Sequence, residues 1–245
     1  MSASTKGLVI REQTIGESDR LVTLLTADLG LVRAFVRGAK QTRSRLASTT
    51  SLFAYSDFSL YKGRDAFVVE SATPIEVFFE LRQDIERLSL AQYFAQLAYE
   101  LGYEEQPEEE MLSVVLNALH LLCSGKKDTR IIKSAVELRL MSLGGYMPNI
   151  LACANCGTYE SNLMYFDTLD GCIYCENCQK AGAVPCPKNV ITAVRFICLT
   201  EPKKIFSFSL SDDNLNLLSS VSEKYLISRI QRKLPTLEFY KTIKS

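Results

Sequence analysis

Four cysteines carry the strongest chemical signal in the chain. Cys153 and Cys156 read C-A-N-C, and after eighteen intervening residues Cys175 and Cys178 read C-E-N-C. Each pair can turn both thiolates toward one ion, and the loop between the pairs is long enough to bring them together. Two C-x-x-C pairs at such spacing are the mark of a tetrahedral zinc site. Four thiolates fill the zinc shell and leave no position for substrate or water, so the chemistry implied is a structural clamp. Cys172 forms a rival pair with Cys175, and Cys186, between two prolines, is a further alternative ligand. Cys175 with Cys178 is preferred because the turn-forming Gly171 then precedes the second knuckle. Cys123 and Cys198 lie in apolar helical stretches and read as buried thiols.

Bond-making chemistry is hard to build from the rest. His120 is the one histidine, set in the apolar run Leu116–Leu122, where a structural role is the simpler reading. Neither a G-x-x-x-x-G-K-[ST] nor a G-x-G-x-x-G phosphate loop occurs. The carboxylates of Glu104–Glu110 flank Pro107 and suit a solvated first helical turn. The expectation is a protein that is not an enzyme.

The second signal is cationic. Arg33, Arg37, Lys40, Arg43 and Arg45 fall within thirteen residues that hold no acidic side chain. Such a run tracks a phosphate backbone and releases its counterions. Arg11, Arg20, Lys62 and Arg64 are added as candidates for the same role. Phe35, Phe53, Tyr55, Phe58, Tyr61 and Phe67 lie nearby, most of them expected in a core. The formal net charge of zero conceals this asymmetry. Residues 1–75 hold ten Lys/Arg against seven Asp/Glu, residues 76–187 eight against sixteen, and residues 188–245 ten against five.

These residues need elements to hold them. Gly7–Arg11, Arg20–Thr26, Leu31–Arg37, Phe53–Tyr61 and Ala66–Glu70 read as strands divided by turn signals such as Gly16, Gly30 and Gly38. Five short strands suit a small closed barrel of oligonucleotide-binding (OB) type, with an SH3-like barrel as rival. Thr73-Pro74-Ile75-Glu76 looks like a capped helix start, with helical spacing through Leu101. Pro107 opens a second helix through Cys123, and Asp128 caps a third that stops at Gly144-Gly145. Helices resume near Asn189–Thr200 and Asp213–Arg232. The fold class predicted is α+β: an N-terminal five-stranded OB-type β-barrel over residues 1–75, then an α-helical domain over 76–245. The helical domain carries an embedded zinc-ribbon-like module at about 148–182.

With 47% hydrophobic residues in a chain of 245, a sizeable core is available. No apolar run approaches the roughly 18 residues of a membrane span, and residues 1–7 lack a secretory pattern. The expectation is a cytoplasmic protein with reduced cysteines and no membrane partner.

Several stretches together resemble one family. Gly7-Leu8-Val9-Ile10-Arg11, the run Gly16 to Thr26, Gly30-Leu31 and Arg37-Gly38-Ala39-Lys40 are similar to the N-terminal signature of the RecO family of bacterial recombination mediators. Gly145-Tyr146-Met147-Pro148, the first cysteine pair with Gly157, and Gly171 before the second pair look like that family's zinc-binding segment. The resemblance implies binding to single- and double-stranded DNA, annealing of complementary strands and a nucleoid-associated place in RecF-pathway repair. It also implies partnership with RecR, and help in loading RecA onto DNA coated by the single-strand-binding protein (SSB). The SSB tail is acidic with an apolar end, and Arg130, Lys133 and Arg139 are the cations taken here to rim a pocket for it. An RNA-binding barrel-and-ribbon module and a non-catalytic adaptor are the alternatives.

Overall fold

The structure, a computed structural model, describes residues 2–41, 44–64 and 66–244. By contact density the chain forms two compact units, residues 1–123 with 235–245, and residues 124–234. This grouping differs from a linear division at residue 75, because the helices that follow the barrel pack with it and the C-terminal helix returns to them.

The first unit is built on five strands: β1 (Ser2–Ile15), β2 (Asp19–Thr26), β3 (Gly30–Val36), β4 (Ala54–Lys62) and β5 (Phe67–Val77). They close into a barrel in the order β1-β2-β3-β5-β4. All neighbours are antiparallel except β3 and β5, which pair in parallel through Ala34–Phe67 and Phe35–Val68. This is the OB-type arrangement rather than an SH3-like one. Alternate residues fill the interior: Val9, Val22, Leu24, Val32, Val36, Phe58 and Leu60 are buried in one cluster. Each such side chain contributes about 1.5–3 kcal/mol on burial.

The expected helix start at Thr73 is corrected by the structure. Thr73, Pro74 and Glu76 continue β5, opposite Asp57, Ser56 and Tyr55 of β4. A register shift between Tyr55 and Ser56 sits beside Pro74, whose missing N–H is tolerated at such an irregularity. The helical region begins with a 3₁₀ turn at Phe79–Gln83 and then α2 (Ile85–Leu101). Asp84 is its N-cap, accepting a hydrogen bond from the Arg87 N–H at 3.1 Å. A short helix, α1 (Leu46–Thr49), lies between β3 and β4, in a stretch to which the sequence assigned no element. The unit is completed by α3 (Glu109–Ser124) and α7 (Pro235–Lys244), the latter packed on α2.

Gly30 joins the barrel to the segment after α2. Its φ is +67°, and an added Cβ would collide with the carbonyl oxygens of Tyr103 and Gln106. The Leu31 N–H donates to the Tyr103 carbonyl at 2.8 Å across this approach. Only glycine fits a left-handed backbone with so little space.

The second unit holds α4 (Thr129–Leu143), a four-stranded sheet, α5 (Lys188–Leu199) and α6 (Asp212–Arg229). Asp128 caps α4 as the sequence indicates, accepting from the Arg130 N–H at 2.8 Å. The sheet strands are β6 (Asn149–Cys153), β7 (Leu163–Asp167), β8 (Cys172–Cys175) and β9 (Val184–Pro187), in the order β6-β8-β7-β9. Apolar residues of α4, among them Ile132, Ala135, Val136 and Leu140, are fully buried, as are Leu218 and Leu226 of α6. Among the described residues no helix is long and apolar enough to cross a membrane.

Candidate nucleic-acid interface and metal centre

The sulfurs of Cys153, Cys156, Cys175 and Cys178 all lie within 4.8 Å of one another. Zinc–thiolate bonds of about 2.3 Å in a tetrahedron place sulfurs about 3.8 Å apart, and Cys156 and Cys175 are 3.6 Å apart. The donor set therefore fits a tetrahedral thiophilic ion. Local pairing explains how the chain assembles it. Strands β6 and β8 run in parallel, with Cys153 opposite Ile173, so both cysteine turns leave the sheet at the same end. The Ala154 N–H donates to the Ile173 carbonyl at 2.8 Å, and the Gly157 N–H to the Cys153 carbonyl at 2.9 Å. Burial opposes a thiolate at Cys153, but the N–H groups of Cys175, Cys156 and Asn155 outweigh it and hold the thiol at about 6. The side-chain amide of Asn155 also donates to the Cys178 sulfur at 3.3 Å, linking the two knuckles.

The competing cysteines lie elsewhere. Cys172 is buried at the start of β8, opposite Asp167 of β7 and three residues from Cys175. Cys186 is buried on β9 opposite Met164, and burial pushes its thiol up to about 12. Burial likewise raises Cys123 and Cys198, each to about 11.

Two contacts of this centre had no signal in the sequence: those of Arg195, and the packing of Gly171, a turn residue the sequence did show, against α6. Arg195 of α5 donates to the carbonyls of Ile150 at 2.7 Å, Leu151 at 2.9 Å and Tyr159 at 2.7 Å, with its guanidinium 4.4 Å from the Tyr159 ring centre. It ties α5 to both sides of the first knuckle. Gly171 has φ +69°, and a Cβ there would lie 2.7 Å from Arg229 Nη2 and 2.8 Å from Tyr225 Cε2. The turn before the second knuckle thus presses directly on α6.

On the barrel, register brings distant cations into one row. Arg11 of β1 pairs with Thr23 of β2, which pairs with Arg33 of β3. The next outward row is Gln13, Leu21 and Phe35. Arg11 and Arg33 are exposed, and Phe35 is 37% exposed. Arg37, Lys40 and Arg45 are exposed beyond the end of β3, while Arg43 lies outside the described residues. Lys62 and Arg64 line a cavity of about 420 Å³ together with Arg33, and Asp28, Glu104 and Glu105 also line it. Of the aromatics, Phe53 and Phe58 are core, whereas Phe35 and Tyr61 are the exposed pair.

Arg20 departs from expectation. Its guanidinium donates to the Ala47 carbonyl at 3.1 Å and Thr50 Oγ1 at 3.2 Å, and sits 3.5 Å from Glu12. It anchors α1 to β2 instead of facing solvent.

The cations taken to rim a docking pocket are also corrected. Lys133 is buried, 2.7 Å from Glu137 and 2.9 Å from Glu223. Arg130 bridges Asp128 at 2.6 Å and Asp212 at 2.7 Å, and Arg139 donates to the Cys198 carbonyl. Helical spacing placed them near one another, but packing gives each an internal partner.

The first unit is thus an OB-type barrel with exposed cations, and the second carries a four-cysteine ribbon among helices. Two family models match the chain: Recombination protein O N terminal over residues 1–78 and Recombination protein O C terminal over residues 82–238. The chain is 33% identical to the DNA repair protein RecO of Acetivibrio thermocellus over 98% of its own length and 96% of the relative. It is 29% identical to the DNA repair protein RecO of Alkaliphilus metalliredigens, over 99% of this chain and all of that one. It is also 28% identical to the one of Symbiobacterium thermophilum. The chain belongs to the RecO family of DNA repair proteins.

Proposed function

We propose that this chain anneals complementary DNA strands and helps load recombinase onto SSB-coated DNA, acting with RecR and without bond chemistry. The observation that carries the reading is the row Arg11–Thr23–Arg33 across three barrel strands, extended by exposed Arg37, Lys40 and Arg45. Two DNA strands repel through their phosphates, and a cationic surface that neutralises both lowers the cost of their encounter. Base pairing then selects the partner, so the protein needs no code for base edges. Changing Arg37, Lys40, Arg43 and Arg45 together to alanine is expected to slow annealing of complementary oligonucleotides at low salt by at least about tenfold. Unchanged annealing would remove the assignment.

Zn²⁺ is the ion proposed for Cys153, Cys156, Cys175 and Cys178, in a structural role. When bound it supplies a fixed cross-link between the two knuckles. Asn155, Arg195 and Gly171 orient the segments that carry the sulfurs.

An acidic SSB tail with an apolar end also has a better candidate site than the one anticipated. Ala193, Phe196, Phe208 and Leu210 line an apolar groove of about 690 Å³ in the second unit, with Lys188 at its edge. The apolar terminus fits the groove, and the peptide carboxylates compete for Lys188 with Glu160, which lies 2.8 Å from it. Phe208→Asp is expected to abolish anisotropy-detected binding of a labelled acidic peptide with an apolar C-terminus. Retention of binding would exclude the groove.

A further inference from the structure

The cationic row ends at Arg11, which is exposed. There it meets a cavity of about 440 Å³ walled by β1, α2 and the start of α7. An adjoining recess opens onto Arg33 and is lined in common by Arg11, Glu12 and Tyr99. The guanidinium of Arg11 lies 4.4 Å from the Tyr99 ring centre, at the junction of the two.

Inside the cavity the chemistry changes sign. Ile10, Leu52, Ala95 and Pro235 supply apolar wall, while the amides of Gln92 and Gln96 and the carboxylates of Glu12 and Glu100 line the remainder. Two carboxylates repel a phosphate. They do not repel an uncharged planar ring, and they attract one that carries an amino group. Apolar walls and an aromatic side chain favour the faces of such a ring. Cations outside and amides with carboxylates inside are the arrangement a nucleotide requires when its phosphate stays on the surface and its base enters.

We propose that this cavity receives one unstacked nucleobase of a single DNA strand whose phosphates follow Arg11 and Arg33. The proposal rests on the DNA-binding reading above and deepens it. A base held in duplex must be unpaired and unstacked to enter, at a cost of a few kcal/mol, so the cavity selects single strands. It also favours cytosine, adenine and guanine, whose exocyclic amino groups donate to carboxylates and amides, over thymine, which has no such group.

The test is anisotropy titration of the full chain with short homopolymeric single strands and with a duplex of the same length. Tyr99→Leu is expected to weaken single-strand binding about tenfold, the effect of losing one stacked base, and to leave duplex affinity unchanged. Tyr99→Phe keeps the ring and is expected to keep the affinity, which separates loss of stacking from loss of folding. Gln92→Ala is expected to narrow the preference for dC over dT. Equal loss on single strand and duplex, or no loss on either, overturns the proposal. Arg33→Ala distinguishes the two levels. It should weaken both DNA forms if the cationic row binds phosphate, whatever Tyr99 does, and no effect on either form places the failure in the DNA-binding reading itself.

Discussion

Chelating the proposed Zn²⁺, or replacing Cys153 by alanine, is expected to lower the melting temperature of the second unit by at least about 10 °C. The reason is the size of the sheet it holds. Its strands have five, five, four and four residues, and β6 pairs with β8 at only two register positions. Strands this short are not stable alone. The two knuckles are otherwise joined by the Asn155 amide to Cys178 and by the Ala154 N–H to Ile173. Without the ion, four clustered sulfurs lose the bond that offsets the cost of gathering them. Thermal melts with and without chelator measure the shift, and limited proteolysis between residues 154 and 182 locates it. Cys172→Ala is the control: that thiol packs inside the sheet, so the variant should keep its metal. A metal-free protein with an unchanged melt contradicts the structural role, and metal loss from Cys172→Ala redraws the ligand set.

The second large effect lies in the same unit and away from the metal. Lys133→Met is expected to cost about 3–5 kcal/mol of stability, the penalty for leaving a buried charge without its partner. Lys133 has a side-chain exposure of 3% and Glu137 of 0%, and Ser222 Oγ donates to the other oxygen of Glu137 at 2.6 Å. Burial opposes the charge on Lys133, but the carboxylates of Glu137 and Glu223 outweigh it and hold its pKa above the ordinary lysine value. Removing the ammonium leaves two facing carboxylates at the α4–α6 contact. The double change Lys133→Met with Glu137→Leu should recover much of the loss, since an apolar pair of similar volume is often no worse than a buried ion pair. Urea unfolding of the two variants measures this. A cost below about 1 kcal/mol for Lys133→Met, the scale of an exposed ion pair, contradicts the buried network.

Lys133 also marks where sequence reading stops. The (i, i+4) placement of Glu137 on the same helix was visible, but the approach of Glu223 from α6 was not, and without it the lysine reads as a surface cation. Arg20 was misread for the same reason, since its partners Ala47 and Thr50 sit on a helical turn hidden within a polar loop. Pro74 was taken for a helix start because its local context, Thr before and Glu after, satisfies capping rules. Its role in β5 depends on a register irregularity in β4 that no local pattern contains. Features set by short-range chemistry were legible: the cysteine spacing, the Asp128 cap, and the glycine turns at Gly16, Gly30 and Gly38, each at positive φ. The row Arg11–Thr23–Arg33 lies between these cases. Its members were legible as cations and strand residues, but their alignment follows from pairing register alone.

Arg11 and Arg33, together with the cations Arg37, Lys40, Arg43 and Arg45 that follow β3 in the chain, are proposed to neutralise DNA phosphates, and the second group is the larger share of the charge. The most direct test is the affinity of the full chain for a single strand across a range of salt concentrations, compared with the variant lacking Arg37, Lys40, Arg43 and Arg45. Each lost phosphate contact reduces the slope of log affinity against log salt by about 0.7 for a single strand. The account predicts weaker binding at low salt and a slope shallower by about 2 to 3. An identical slope and affinity in the two proteins would contradict it.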